Sequence, residues 1–290
     1  MDTIKTIHID DPEYPALLRQ SACPPKTLYC RGSIPLPLGR ILGVVGTRKM
    51  SVIGRRSCEA IIPSLARAGY TIVSGLAYGV DALAHQQTVD NKGIAVGVLA
   101  NGLDDESIYP RENRPLVHRI IESGGCVLSE FPAGTRPRRE FFPQRNRIVA
   151  GMSHGILVIE APEKSGTLIT AFRALHENRE VLAVPGPITH PTFAGANRLL
   201  QLGAHVITSA EDVFNVFGDS LLSKDGERVD PDSLSEQERV IFECIAREVF
   251  HLDEIADQTK LDIRTVHSTL GTMELKGLIQ SMGNGRFIKK

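Results

Sequence analysis

Five arginines, two adjacent phenylalanines and one glutamate lie within residues 136–147, RPRREFFPQRNR. A guanidinium group binds phosphate oxygens through paired hydrogen bonds, and the face of a phenylalanine ring can stack on an unpaired nucleobase. The formal net charge of the whole chain is −1, so the positive charge of this stretch is local. The stretch therefore predicts a site for single-stranded nucleic acid, with Arg139 and Phe142 as its leading residues.

Two arginines of the same stretch also fit a structural use. Buried arginines are usually paired with carboxylates. Arg145 and Arg147 could hold acidic side chains such as Glu130 or Glu160. Arg145 is kept as a candidate for strand binding, and both interpretations stay open at this point.

Glycine and hydroxyl residues recur where strands are expected to end, in GTRKMS (46–51), SGLAYGVD (74–81) and EKSGT (163–167). The carboxyl ends of parallel strands meet at one sheet edge, and glycine or serine at a helix start leaves backbone N–H groups free for phosphate oxygens. One such turn also serves as an ordinary strand-to-helix connection, but three at one edge favour an anion site. The candidate binding residues in these loops are Arg48, Ser51, Ser74, Gly75, Gly79, Gly166 and Thr167.

The sequence lacks the common cofactor and catalytic motifs. Gly43, Gly46 and Gly54 do not have the GxGxxG spacing of a dinucleotide site, and no GxxxxGK[ST] phosphate loop occurs. Asp81 and His85 stand one helical turn apart, which fits an acid–base pair or a helix-cap aspartate beside a hydrogen-bonded histidine. No nucleophile elbow and no CxxC pair accompanies them. We therefore assign no catalytic residue, no metal ligand and no cofactor.

Apolar runs alternate with helical patterns from residue 41 onwards, which predicts an α/β domain with a doubly wound, mostly parallel sheet covered on both faces. The expected strands are 41–46, 71–75, 94–100, 126–130, 156–161, 181–186 and 205–209. We divide the chain into a short, proline-rich N-terminal extension (1–40), the α/β domain (41–217), a polar linker (218–233) and a C-terminal unit (234–290).

Three helical patterns and a hairpin signal at residues 283–285 make the C-terminal unit a predicted winged helix-turn-helix. Residues 231–290 hold eight Lys and Arg against ten Asp and Glu. The candidate recognition helix offers only Arg264, His267 and Lys276 as base readers or phosphate partners. DNA binding and protein docking are equally open for this unit.

Several of these segments together resemble the DprA/Smf family of bacterial DNA-processing proteins. The matching segments include GTRKMSVIG (46–54), SGLAYGVDALAH (74–85), FFPQRNRIVAGMS (141–153) and IEAPEKSGTLITA (159–171). The resemblance implies an extended Rossmann-like domain that binds single-stranded DNA without sequence preference and loads the recombinase RecA onto it. In naturally transformable bacteria such proteins protect DNA strands during uptake. It also implies that Arg48, Arg139 and Phe142 contact the strand. Many relatives carry a helical N-terminal domain, for which residues 1–40 are too short.

Two other functions remain in view. A nucleotide-processing enzyme related to phosphoribohydrolases would need a PGG-x-GT-x-x-E loop, whereas EKSGTLITA lacks the double glycine and the glutamate. A winged-helix regulator with a ligand-sensing domain would need operator binding, which the acidic C-terminal unit disfavours. We therefore expect a binding protein and not an enzyme.

The segment 193–217 predicts a homodimer. It carries more apolar side chains than one helix and one edge strand can bury, so some could form a self-complementary patch. The resemblance points the same way, although these residues could simply cover the sheet edge. The interface candidates are Leu199, Leu200 and Phe214. No apolar run approaches the roughly 20 residues that span a bilayer and no signal-peptide layout opens the chain, so we expect a cytoplasmic protein without membrane contact.

Overall fold

The chain forms two compact units, Met1–Leu222 and Ser223–Lys290. The computed structural model describes residues 3–35, 38–219, 234–245, 250–275, 279–283 and 285–289. Most of the predicted linker 218–233 therefore lies outside the described residues, and its boundaries stay a prediction.

The larger unit is built on a nine-stranded sheet. The strands are β1 (Ile4–His8), β2 (Thr27–Gly32), β3 (Ile41–Val45), β4 (Thr71–Ser74), β5 (Ile94–Leu99), β6 (Cys126–Ser129), β7 (Gly155–Val158), β8 (Glu180–Ala183) and β9 (His205–Val206). Their spatial order is β1-β2-β6-β5-β4-β3-β7-β8-β9. In this order, all neighbouring strands between β6 and β9 are parallel. The predicted doubly wound, mostly parallel sheet is confirmed.

Residues 1–40 contribute two strands to this sheet. β2 pairs antiparallel with β6, and β1 pairs antiparallel with β2. Ile7, Leu28 and Cys30 are buried, and the Tyr14 hydroxyl donates a hydrogen bond to the Pro25 carbonyl (2.8 Å). The segment that sequence analysis set apart as an extension thus belongs to the same compact unit as residues 41–217.

Helices cover both faces of the sheet and pack into separate apolar clusters. Buried residues of α5 (Phe141–Met152), α6 (Gly166–His176) and α7 (Ala194–Gln201) share one cluster. Those of α2 (Val52–Arg67), α3 (Val80–Asp90) and α8 (Ala210–Phe217) share another. The central strands are buried on both faces, which explains their continuous apolar runs. The helices are α1 (Ala16–Arg19), α2 (Val52–Arg67), α3 (Val80–Asp90), α4 (Arg114–Glu122), α5 (Phe141–Met152), α6 (Gly166–His176), α7 (Ala194–Gln201) and α8 (Ala210–Phe217), with 3-10 turns at Arg111–Asn113 and Pro191–Phe193.

The smaller unit has the helix and strand order of a winged helix. Its elements are α9 (Glu236–Cys244), β10 (Phe250–His251), α10 (Leu252–Thr259), α11 (Ile263–Leu275), β11 (Ile279–Gly283) and β12 (Arg286–Lys289). β10 pairs with β12, which pairs with β11. A capping box begins α9, since the Ser235 hydroxyl accepts from the Glu238 N–H while the Glu238 carboxylate accepts from the Ser235 N–H. Asn284 and Lys276 lie outside the described residues.

Candidate nucleic-acid interface

A cleft of about 290 Å³ opens where the strand order of the large sheet reverses. The chain runs outward from β3 to β6 on one side and from β7 to β9 on the other, so β3 and β7 flank the switch point. Ligands of doubly wound sheets bind at this place, beyond the carboxyl ends of the strands. The lining residues come from the loop after β3, from α3, from α5 and from the start of α6.

No helix within the described residues is long and apolar enough to cross a bilayer.

The loop after β3 (46–51) presents Arg48 to the cleft. Its base is held to the end of β7, because the Thr47 N–H donates to the Glu160 carbonyl (2.7 Å). The Ser51 hydroxyl accepts from the Gly54 N–H and donates to the Glu160 carboxylate (3.0 Å). Ser51 therefore caps α2 and fixes the loop, while the exposed Arg48 side chain is left to meet a ligand.

The loop after β4 (75–79) is held in place by two of the predicted binding residues. Ser74 is fully buried, and its hydroxyl donates to the Val44 carbonyl (2.5 Å). Gly79 has a φ of 76°, and a Cβ there would clash with the carbonyl oxygen of Thr47. The predicted binding residues Ser74 and Gly79 thus position the loops and do not line the cleft.

The N-terminus of α6 faces the cleft. The Ser165 side chain accepts a hydrogen bond from the Thr167 N–H (3.1 Å), and Gly166 leaves open space where a side chain would stand. The first N–H groups of an 11-residue helix have no acceptor within the helix and carry its positive dipole end. Lys164, which is exposed, lines the same cleft. This edge of the cleft can bind an anion.

Arg145 lies under the cleft with 5% of its surface exposed. Its Nη1 donates to the carbonyls of Gly75 and Val98 (2.6 Å for Val98), and its Nε donates to Asn146 Oδ1 (3.1 Å). No described residue accepts a hydrogen bond from its Nη2. Burial lowers the pKa of Arg145 to about 10, so the guanidinium is cationic at neutral pH. Arg145 therefore holds the loop after β4 to β5 and also lines the cleft.

Asp81 is the carboxylate that lines the cleft. Burial raises its pKa, and the charge of Arg145 together with backbone N–H groups of the neighbouring loops opposes that rise. His85, one turn later on α3, is fully buried and does not line the cleft. Burial lowers the pKa of His85 to about 4, so its ring is neutral at pH 7.

The two phenylalanines of the arginine-rich stretch take part in separate aromatic clusters. The Arg48 guanidinium lies over the Phe142 ring, 4.9 Å from its centroid, and Tyr109 meets Phe142 edge-on at 6.2 Å. Phe141 stacks on Phe131, with ring centroids 4.1 Å apart. The Arg48 and Phe142 side chains, predicted from different parts of the sequence, are thus in direct contact at the cleft.

Arg139 and Arg147 differ in their side-chain contacts. Arg147 Nη2 lies 2.6 Å from both carboxylate oxygens of Glu130, and its Nη1 donates to the Cys23 carbonyl (2.7 Å). This confirms the structural interpretation of Arg147. Arg139 is exposed in the turn before α5 and forms no side-chain hydrogen bond or ion pair with any described residue. Its charge is therefore available to an external anion.

Comparison with known proteins identifies the family. The family model for DNA recombination-mediator protein A matches residues 5–218, and that for the DprA winged helix domain matches residues 227–285. The chain belongs to the DprA/Smf family. It is 42% identical over 212 residues to the DNA processing protein DprA of Bacillus subtilis, covering 73% of this chain and 70% of that protein. It is 35% identical over 290 residues to the protein Smf of Escherichia coli, covering 96% and 76%.

Two solved structures from this family have the same fold. DprA from Streptococcus pneumoniae aligns with a TM-score of 0.67 and 36% identity, covering 73% of this chain and 74% of that chain. DNA processing protein A from Helicobacter pylori aligns with a TM-score of 0.65 and 26% identity, covering 75% and 98%. The latter structure is described as showing that protein's single-stranded DNA binding mode.

The structure brings together part of the predicted site in this DprA/Smf chain. Arg48, Phe142, Arg145, Gly166 and Thr167 line the cleft. Gly75 lines a smaller hollow beside it, Arg139 lies in the turn before α5, and Ser51, Ser74 and Gly79 hold the loops.

Sequence reasoning missed three cleft or hollow residues: Lys164, Tyr78 and Tyr109. Lys164 directly precedes the SGT turn, and its position was the available signal.

Among the described residues, no group of three or more His, Cys, Asp or Glu side chains could hold a metal ion.

Two of the three predicted interface residues, Leu199 and Phe214, require a correction. Leu199 and Phe214 are 1% and 3% exposed within the protomer, so their side chains cannot meet a partner in this conformation. Leu200 is half-buried against the same core. The most exposed apolar side chains of the segment 193–217 are Leu202 and Val206, which are 53% and 55% exposed.

Proposed function

We propose that this chain binds single-stranded DNA without sequence preference in the cleft between β3 and β7. The observation that carries the proposal is the convergence of Arg48, Arg145 and the N-terminus of α6 on one cleft with an aromatic side wall. A phosphate group would meet donors on two sides there. Among the described residues that line the cleft, Asp81 is the only acidic one.

Preference for single strands follows from the aromatic side chains. A ring such as Phe142 or Tyr109 can stack only on a base that is not paired and stacked within a duplex. Every base has a π-face, so stacking tolerates sequence. Contacts to phosphates likewise carry no sequence information. The arrangement therefore suits a strand of any sequence.

The relatives support the recombination role. This chain shares its family with proteins named for DNA processing and recombination mediation, and one solved relative is described as binding single-stranded DNA. We propose that the bound strand is passed to RecA, in homologous recombination and in natural transformation where the host takes up DNA. The protein then acts by binding and not by catalysis, in the cytoplasm where chromosomal recombination takes place.

The alternative of a nucleotide-processing enzyme has less support. Thr170 stands where the GT-x-x-E loop of phosphoribohydrolases has its glutamate, and its side chain is buried. Asp81 is held by backbone N–H groups and the charge of Arg145, and His85 is neutral and out of the cleft. This leaves no paired acid and base beside a bound nucleotide.

We also propose a homodimer that uses the surface at β9. Two linked sites raise the effective concentration of the second site for one strand, so a dimer would hold DNA more tightly than a protomer. β9 is an edge strand of the large sheet, and both of its residues are exposed. Leu202 and Val206 supply the apolar surface that a partner could cover.

The test of DNA binding compares three ligands in parallel by fluorescence anisotropy: a labelled single strand, the same sequence as a duplex, and competing mononucleotides. We expect salt-sensitive binding of the single strand, weaker binding of the duplex and little competition by mononucleotides. A scrambled single strand of the same length should bind equally well. Tight binding of a mononucleotide with no affinity for the strand would contradict the proposal and favour an enzyme.

A further inference from the structure

Two tyrosines beside the cleft are partly exposed. Tyr78 and Tyr109 are 38% and 40% exposed. With Phe142 and Pro110 they frame a small hollow whose floor includes Arg145. The hollow adjoins the cleft, since Arg48, Phe142 and Arg145 line both. Aromatic surface is thus continuous with the phosphate-binding edge of the site.

Phe142 itself offers limited open surface. Arg48 lies over its ring at 4.9 Å, Tyr109 meets it at 6.2 Å with an angle of 68° between the rings, and its side chain is half-buried. A base that stacks at this point would have to displace the guanidinium or lie over it. The open aromatic surface of the site therefore belongs mainly to Tyr78 and Tyr109.

The Tyr78 ring is oriented before any ligand arrives. Its hydroxyl donates a hydrogen bond to Glu112 Oε2 (2.6 Å). That bond raises the pKa of Tyr78 to about 12, so the hydroxyl stays protonated at neutral pH. A ring held in one orientation loses less freedom when a base stacks on it.

We propose that Tyr78 and Tyr109 form a second base-stacking subsite, which receives an unpaired nucleobase next to the one at the Arg48–Phe142 pair. The inference rests on the proposed single-stranded DNA binding and deepens it. The ring centroids of Tyr109 and Phe142 are 6.2 Å apart, so adjacent nucleotides of one strand can reach both rings. The ligand of the subsite is the flat face of a base, whatever its identity.

The experiment uses the full chain and two strands of equal length, oligothymidine and the same sugar–phosphate backbone without bases. Binding of each strand is measured for the wild type, Tyr78→Ala, Tyr109→Ala and the double variant. Tyr109→Phe keeps the ring and serves as the conservative variant. Phe172→Ala is the matched control, because Phe172 is 41% exposed but lines neither the cleft nor the hollow.

The wild type should prefer the strand that carries bases. Each tyrosine-to-alanine change should weaken binding of that strand by about tenfold and leave the baseless strand unchanged. Tyr109→Phe and Phe172→Ala should bind like the wild type. Circular dichroism of each variant checks that the fold is retained.

Three results would overturn the inference. If the wild type prefers the base-carrying strand and the double variant binds it equally well, only the tyrosine subsite is wrong. An equal loss for both strands would show that the tyrosines act through the fold. If the wild type binds neither strand, the proposed function itself fails and the subsite fails with it.

Discussion

Replacing the buried Arg145 with methionine should destabilise the larger unit. The guanidinium connects the loop after β4 to β5 through hydrogen bonds to the carbonyls of Gly75 and Val98. Methionine fills a similar volume but donates no hydrogen bond. Arg139→Met is the matched control, because Arg139 is exposed and forms no side-chain hydrogen bond or ion pair among the described residues.

The size of the effect follows from the two hydrogen bonds that the guanidinium donates to backbone carbonyls; the third, to the adjacent Asn146 side chain, is lost as well. A hydrogen bond from a charged group contributes about 1.5–3 kcal/mol, so two contribute roughly 3–6 kcal/mol. Relief from burying the charge of Arg145 offsets part of this loss. We expect a net decrease of about 3 kcal/mol in the free energy of unfolding. For a unit of this size that lowers the melting temperature by about 6–12 °C.

The destabilisation should depend on pH through Asp81. Burial raises the pKa of Asp81 in the folded protein. The contribution of Asp81 to the free energy of unfolding is therefore complete at acid pH, below its ordinary pKa, and is lost as pH rises through the raised pKa. The charge of Arg145 opposes the rise of that pKa. Without Arg145 the pKa of Asp81 rises further, so the variant should lose more stability, relative to wild type, at pH 7 than at pH 5. Asp81→Asn in the same variant should remove this difference.

Differential scanning calorimetry measures these changes. The two units can melt separately, and the transition of the smaller unit should stay in place as an internal reference. Arg139→Met should melt like the wild type and bind single-stranded DNA less tightly. A melting temperature for Arg145→Met within about 2 °C of wild type would refute the argument that this guanidinium holds the loops.

Further predictions concern binding, chemistry and assembly. Arg139→Ala should reduce the slope of log affinity against log salt by about 0.7, whereas Arg198→Ala on α7 should leave it unchanged. Phe142→Ala should weaken strand binding with little change in that slope, because a ring displaces no counterions; an altered slope would argue against stacking. Purified protein should release no free base from nucleoside monophosphates, and a release that Asp81→Asn abolishes would revive the enzyme alternative. Leu202→Arg should yield a folded monomer with weaker DNA binding, and a wild type that sediments as a monomer at micromolar concentration would rule out the dimer.

The central fold was predictable because burial on both faces leaves a simple signal. β3, β5 and β7 are continuous apolar runs, and helical patterns separate most of them. β1 and β2 were not predicted, because they are antiparallel strands near the edge of the sheet. Their buried residues alternate or are scattered, so they form no continuous apolar run. Six prolines in the first 40 residues also concealed them, since proline is typical of loops.

The location of the candidate cleft was predictable, but the direction of each side chain was not. Three loops that follow strand ends were expected at one edge of the sheet, and the strand order brings them together at the cleft. Whether a serine such as Ser74 faces a ligand or a neighbouring strand depends on packing that a loop motif does not encode. The same holds for Leu199 and Phe214, whose hydrophobicity fits either a core or an interface. Tyr78 and Tyr109 lie far apart in the sequence from Phe142, so only the fold shows that they share a hollow.

The charge of residues 136–147 shows how the structure divides one sequence feature between two tasks. Arg147 is paired with Glu130 and Arg145 is bonded to backbone carbonyls, so these two guanidinium groups stabilise the protomer. Arg139 is exposed without a side-chain partner among the described residues. The salt dependence of binding reflects only the positive charges that contact phosphates, because these release counterions. The number of arginines in the sequence therefore overstates that dependence. A nearly neutral chain can bind a polyanion in this way, because a few available cations and a helix N-terminus face one cleft while the remaining arginines hold its walls.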